Sequence, residues 1–381
     1  MINPKSFLNA LKKSNVNFIT GVPDSLLKDI CAYISENLSS RQHIIATNEG
    51  SAIGLAIGNY LATNQVPLVY MQNSGIGNII NPITSLADPK VYGIPILLMI
   101  GWRGEIDNNG IQMSDEPQHK KQGDITLKQL DILEIPYKII DSEEQEIEKI
   151  ISSCVNSAKK RNGPVALVVR KKTFKTYIFK AKNNAEKFKP LYKREDVIRE
   201  IIKSVPDSSP IISTTGVSSR ELFEIRSEYE QSHKSDFLTV GGMGHANQIA
   251  TGIALAKKDI KVFCIDGDGA ILMHMGALAI NADQENLVHI LINNGVHDSV
   301  GGQPTKGAKL EFARIASELG YKFTYRTKYI ESINTIIEKS LKLKGSIFIE
   351  ILCVPGFRKD LGRPTKSTYD NKKNFMNFLS S

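Results

Sequence analysis

The chain has 381 residues, of which 41% are hydrophobic and 23% charged, with a formal net charge of +8. That balance suits two globular domains with ordinary cores and excludes a disordered or collagen-like chain. No apolar run approaches the roughly 18 residues of a membrane-spanning helix, so no membrane partner is expected.

The opening MINPKSFLNALKKSNVNFITG reads as an amphipathic helix entering a strand, without the apolar core and cleavage site of a signal peptide. Strands are predicted at 15–20 (NVNFIT), 43–47 (HIIAT), 66–71 (VPLVYM), 94–100 (IPILLMI), 135–140 (IPYKII) and 164–169 (PVALVV). Helix patterns such as DSLLKDICAYISENL and EEQEIEKIISSCVNSAKK lie between them. A basic, nearly strand-free stretch at 179–194 reads as a linker. The scheme then repeats, with strands predicted at 210–215, 236–240, 262–265, 287–292, 322–327 and 346–354. Continuous apolar runs flanked by helices indicate buried parallel strands. The fold class is therefore α/β: two doubly wound parallel-sheet domains, residues 1–180 and 190–381, with no clear sequence identity between them.

Cys31, Cys154, Cys264 and Cys353 are scattered and form no CxxC, as expected of reduced core thiols in a cytoplasmic protein. The lysine-rich stretch 170–196 could be a nucleic-acid patch or a solvated linker face. No nucleic-acid motif accompanies it, so no nucleic-acid partner is expected.

The chemistry concentrates at strand ends. In VFCIDGDGAIL (262–272) an apolar run stops at an acid set between glycines. A tight turn is one use of such residues. A ligand site is the other, because glycines allow close backbone approach and a carboxylate holds a cation. One strand–helix–strand unit later the next run ends in Asn293-Asn294-Gly295. In a parallel sheet, Asp268 and Asn294 then share one edge on adjacent strands. Carboxylate and amide oxygens there suit Mg²⁺ when phosphates complete its octahedron, and backbone N–H groups can meet those phosphates. A dinucleotide fingerprint fits less well, since neither GDGAIL nor GIGNII (75–80) supplies its third small residue. His245 and His274 have no partner at zinc-ligand spacing.

GDG followed by NN at this distance resembles the diphosphate-binding motif of the thiamine diphosphate enzymes. The resemblance implies that Asp268, Asn294 and the main-chain carbonyl of Val296 hold Mg²⁺, with Gly267, Gly269 and Ala270 around the diphosphate. It implies a catalytic acid in the other domain. Glu49 in HIIATNEGSAIGLAIGNYLA is in that setting, where family members hydrogen-bond the aminopyrimidine ring. A Glu favoured at a helix N-terminus is the structural alternative. Gly242 and Met243 in TVGGMGHANQ resemble the wedge beneath the bent cofactor, and Thr215 and Gly216 in ISTTGVSSREL resemble a diphosphate and pyrimidine contact. Asn73 in QNSG is a further expected contact. The family pairs the glutamate domain of one subunit with the diphosphate domain of another, which implies at least a homodimer with sites at the interface.

Within the family, the chain has no room for the middle domain of the larger decarboxylases. That form, with FITGVPDSLLKDI, YMQNSGIGNIINPITSL, IGWRGE, DEPQHKKQG, NNGVHDSVGGQPT and DLGRPT, resembles the phosphonopyruvate decarboxylases and is close to the sulfopyruvate decarboxylases. The resemblance implies attack of a thiazolium ylide on the keto carbon of the 2-oxo acid 3-phosphonopyruvate. Carbon dioxide leaves, the resulting enamine is protonated, and phosphonoacetaldehyde is released, a step of phosphonate biosynthesis. The alternatives are sulfopyruvate as substrate and a non-catalytic cofactor-binding subunit. Asp24 and Ser25 in GVPDS are candidate substrate-facing groups, or else a helix N-cap pair. His119 and His297 are candidate proton relays. Arg103, Lys120, Arg220 and Arg363 are candidate cations for the phosphonate.

Overall fold

A computed structural model describes residues 1–178 and 192–381. The chain divides into two compact units, Met1–Lys182 and Asn183–Ser381. Most of the expected linker at 179–194 lies outside the described residues.

The first unit contains β1 (Ile19–Gly21), β2 (His43–Ile45), β3 (Leu68–Gln72), β4 (Leu97–Gly101), β5 (Tyr137–Ile140) and β6 (Val165–Val169). They form one sheet in the order β2-β1-β3-β4-β6-β5, with every pairing parallel. Helices α1 (Pro4–Lys13), α2 (Lys28–Asn37), α3 (Glu49–Thr63), α4 (Ile76–Pro82), α5 (Pro117–Ile132) and α6 (Ile147–Arg161) cover both faces. Alternation along β3 shows why two layers are needed. Leu68 and Tyr70 pack with Phe7, Ile30 and Ile151 from α1, α2 and α6. Val69 and Met71 pack with Ile53, Ile79 and Leu130 from α3, α4 and α5. A strand apolar on both faces cannot be left open to water on either.

The second unit contains β7 (Ile211–Ser213), β8 (Asp236–Leu238), β9 (Val262–Gly267), β10 (Leu287–Asn293), the short hairpin β11 (Val296–His297) and β12 (Gln303–Pro304), then β13 (Phe323–Thr327) and β14 (Ile347–Leu352). Its parallel sheet runs β13-β14-β10-β9-β7-β8. Read from β8 inward and leaving out the hairpin, this is the strand order of the first sheet. Helices α7 (Arg194–Ser204), α8 (Val217–Glu228), α9 (Ala246–Ala256) and α10 (Asp268–Met273) include the three that follow β7, β8 and β9.

All twelve predicted sheet strands are present, most of them trimmed by one to four residues at an end. The hairpin β11–β12 is an addition that the sequence pattern did not signal. The four cysteines are buried and free. Among the described residues no helix is long and apolar enough to cross a membrane.

Candidate active site

In the second unit β9 and β10 pair with Ile292 opposite Gly267, so their ends lie side by side. Asp268 follows β9 at once and is 2% exposed. Burial pushes its carboxyl up to about 7, against hydrogen bonds from the Thr305 hydroxyl and the backbone N–H groups of Asp268, Gly269 and Asn294. None of these partners is a cation. Gly307 lies so close that a Cβ there would stand 2.3 Å from Asp268 Oδ2. Beyond β10, Asn294 donates its side-chain amide to Asp298 at 2.7 Å, and its Oδ1 accepts from the Val296 N–H at 3.2 Å. Asp298 also accepts from Arg194 at 2.9 Å, and Arg194 makes a two-pronged pair with buried Glu221 at 2.7 and 3.1 Å. Asn293 turns inward instead, donating to the Gly307 carbonyl and to Glu350.

The other expected residues of this unit gather around the same edge. A Cβ on Gly269 would stand 2.8 Å from the His297 ring. Gly216 (φ +91°) abuts Ser299, whose hydroxyl accepts from the Val217 N–H at 3.3 Å. Half-buried Met243 sits in the turn between β8 and α9, between Gly242 (φ +65°) and Gly244 (φ +90°). Those left-handed conformations suit glycine at both positions. Gly244 approaches the Ala270 carbonyl and the Met273 and His274 side chains, which brings the Met243 turn against α10. Thr215 lies two residues past β7, in the turn before α8, beside Gly216. Beneath this floor, Asp266 accepts from the Gly267 N–H at 2.9 Å and from Asn247 at 3.0 Å. His289 stands 3.4 Å from Asp266 and meets the Tyr321 hydroxyl on its other nitrogen.

In the first unit Glu49 is the first residue of α3 and is 6% exposed. Asn78 donates to its Oε2 at 2.7 Å. Gly75 faces it so closely that a Cβ there would stand 2.6 Å from Glu49 Cγ. The same turn, Asn73–Gly75, carries Asn73, which is fully buried. Asn73 donates to the Arg103 carbonyl at 2.9 Å and to Thr126 at 2.8 Å, and accepts from the Arg103 N–H at 3.3 Å. Its amide therefore fixes the loop after β4. Arg103 in turn donates to Ser25 and to Asp115.

Helix α2 starts at Lys28 with Leu27 as its cap, so Asp24 and Ser25 stand ahead of it. Asp24 is fully buried, its Oδ1 has no partner, and burial pushes its carboxyl up to about 6. His119 lies in the first turn of α5, where burial, with the Arg103 charge nearby, holds it down at about 4. Thus Asp24, Ser25, Asn73 and His119 meet around Arg103, and the Asn73–Gly75 turn connects them to Glu49.

A thiamine pyrophosphate enzyme N-terminal TPP binding domain matches residues 5–131, and the corresponding C-terminal TPP binding domain matches residues 215–351. A sulfopyruvate decarboxylase subunit alpha from Methanocaldococcus jannaschii is 39% identical over 42% of this chain and 88% of that subunit. The chain belongs to the thiamine pyrophosphate enzyme family. Two relatives are similar over its whole length. A phosphonopyruvate decarboxylase from Streptomyces viridochromogenes is 28% identical, with 96% of that protein covered. Another from Streptomyces hygroscopicus is 27% identical, with 94% covered.

The residues present fit the family's cofactor. Asp268 is a buried carboxylate whose hydrogen-bond partners carry no charge, packed so closely on Gly307 that no side chain fits there. Asn294 is held by its nitrogen on Asp298, and its oxygen, which accepts only the Val296 N–H at 3.2 Å, keeps a second lone pair for a cation. Gly75, Asn78, Asp298, Thr305 and Gly307 were not singled out from the sequence. Their partners are distant in the chain, and only the family-like segments around them gave any signal.

Proposed function

We propose that this chain is a thiamine diphosphate- and Mg²⁺-dependent decarboxylase that converts 3-phosphonopyruvate to phosphonoacetaldehyde and carbon dioxide, in phosphonate biosynthesis. The observation that carries the reading is the pair of strand-end acids, Glu49 against Gly75 and Asp268 against Gly307, in a chain without a middle domain. Similarity to phosphonopyruvate decarboxylases along the whole chain supports the choice of substrate.

In this reading Asp268, the Asn294 side-chain oxygen and the Val296 carbonyl hold Mg²⁺. The N–H groups of Gly269 and Ala270 face the diphosphate, and Gly267 lets it approach. Thr215 and Gly216 flank it, and Met243, presented by Gly242, supports the rings from below. When bound, thiamine diphosphate supplies the electron sink for loss of carbon dioxide. Glu49 holds a proton at the aminopyrimidine ring nitrogen, and Asn78 keeps its carboxylate oriented. Asp24 and Ser25 face the substrate, with Asn73 fixing the adjoining loop. His119, neutral at working pH, and His297 donate or accept protons at the substrate oxygens.

The functional particle is a homodimer or a larger homo-oligomer with sites at subunit interfaces. Support comes from Leu55, Leu61 and Ile80, which are exposed on α3 and α4, and from Ile249 and Leu255, exposed on α9. Such apolar surface invites association. Light scattering should give at least twice the monomer mass, and a fully active monomer contradicts the interface reading.

The test of function is aldehyde formation from phosphonopyruvate and, in parallel, sulfopyruvate, with cofactor and metal present or stripped. Turnover that needs both cofactors and prefers the phosphonate supports the proposal. Preference for the sulfonate, favoured as a second reading by the 39% identity to a sulfopyruvate decarboxylase subunit, keeps the chemistry and changes the substrate. Cofactor binding without turnover of either acid points to a non-catalytic subunit.

A further inference from the structure

Arg103, Lys120 and Arg220 differ sharply in what the fold does with them. Lys120 is exposed. Arg220 donates to the Gly362 and Leu361 carbonyls, which ties down the C-terminal segment. Arg103 is held from three sides. Asn73 grips its backbone at both N–H and carbonyl. Asp115 accepts from its Nε at 2.8 Å and its Nη2 at 2.5 Å, and Asp115 is itself fixed by the Gly104 and Glu116 N–H groups at 2.9 and 2.8 Å. Nη1 donates to the Ser25 hydroxyl at 2.8 Å. A guanidinium carries five N–H donors. Three are used here, which leaves one N–H on Nη1 and one on Nη2.

Two buried polar atoms near this edge lack any partner, Asp24 Oδ1 and His119 Nδ1. Asp24 is fully buried and His119 is 8% exposed. Both lie within reach of the Arg103 charge. Of these two, His119 Nδ1 can donate to an anion as N–H, whereas Asp24 Oδ1 can do so only while its carboxyl is protonated, so His119 is the group that an anionic ligand would satisfy.

We propose that the Nη1–Nη2 edge of Arg103, with the Ser25 hydroxyl, forms the subsite for the phosphonate end of the substrate, with Asp115 as its positioning residue. The inference rests on the decarboxylase reading above. A two-pronged, charge-assisted donor set suits a tetrahedral dianion. The alternative anion, the carboxylate that is lost, is a poor match. Its charge leaves in the transition state, so a guanidinium clamped on it stabilises the ground state and slows the reaction. Arg103 therefore selects the acid group that stays with the product.

The experiment measures binding of 3-phosphonopropionate, which has no keto group to react, to enzyme loaded with thiamine diphosphate and Mg²⁺. Propionate and 3-sulfopropionate serve as comparisons. Arg103→Ala should weaken 3-phosphonopropionate about tenfold or more and leave propionate nearly unchanged. Arg103→Lys, which keeps the charge and guards against misfolding, should lie between the two. Ser25→Ala should cost a few-fold. Wild-type binding that Arg103→Ala or Arg103→Lys leaves intact, no phosphonate binding by the wild type, or tighter binding of 3-sulfopropionate overturns the subsite. Arg103-dependent phosphonate binding by an enzyme that turns over neither 2-oxo acid supports the subsite while removing the proposed activity.

Discussion

Asn294 and Asp298 are joined by a hydrogen bond of 2.7 Å, and that contact turns the Asn294 amide so that its oxygen, bonded only to the Val296 N–H, is the end with a lone pair to spare. Asp298 is held in turn by Arg194 and by the Gly356 N–H. Such supporting contacts commonly change metal affinity by about 10–100-fold. Asp298→Ala should therefore raise the Mg²⁺ concentration for half-maximal activity by roughly that factor, with a smaller change in the rate at saturating metal. Metal titration of the purified variant is the check. An unchanged titration curve removes Asp298 from the account.

Gly307→Ala tests the floor of the same site. The added Cβ would stand 2.3 Å from Asp268 Oδ2, so the carboxylate must swing away. Thiamine diphosphate with Mg²⁺ at about a hundred times its dissociation constant should raise the wild-type melting temperature by roughly 5–10 °C. The variant should fold, as judged by circular dichroism, and lose most of that shift.

Glu49→Gln keeps the size of the side chain and removes its proton exchange. Turnover should fall by about 10²–10⁴-fold while cofactor binding is largely kept. Gly75→Ala, which intrudes on Glu49 from the facing turn, should lower turnover in the same direction. A Glu49→Gln enzyme of normal rate would falsify the proton-handling role.

Asp24 links the site to stability. Its carboxyl titrates near 6 in the fold and near 3.8 when free, chiefly because it is buried. Between those values the native state keeps a proton that the unfolded chain has lost, so stability falls as pH rises through the window. The cost levels off at about 3 kcal/mol above pH 6. Asp24→Asn should accordingly be more stable than the wild type at pH 7.5, and the difference should vanish below pH 4. Denaturant melts at the two pH values decide this, and a wild type as stable as the variant at pH 7.5 contradicts the burial argument.

The sheets were legible because their strands are continuous runs such as VPLVYM and LVHILI, which only a doubly covered sheet can bury. The positions of Glu49 and Asp268 at strand ends followed from the same runs. The contacts that surround them did not. Gly75 faces Glu49, and Gly307 faces Asp268, across distances in the chain that no local period reports. Asn73 shows the limit most clearly. Its sequence setting suggests a ligand contact, yet both ends of its amide are engaged with the Arg103 backbone and Thr126. The β11–β12 hairpin escaped notice because its strands are two residues each, too short for alternation to register.

Substrate choice is the central claim, and direct competition tests it best. Phosphonopyruvate and sulfopyruvate are supplied together at equal concentration, with thiamine diphosphate and Mg²⁺, and the two aldehydes are quantified from one vessel. The product ratio equals the ratio of kcat/KM values whatever the total concentration. The account predicts phosphonoacetaldehyde in large excess, with the excess shrinking in Arg103→Ala. Sulfoacetaldehyde as the main product contradicts it.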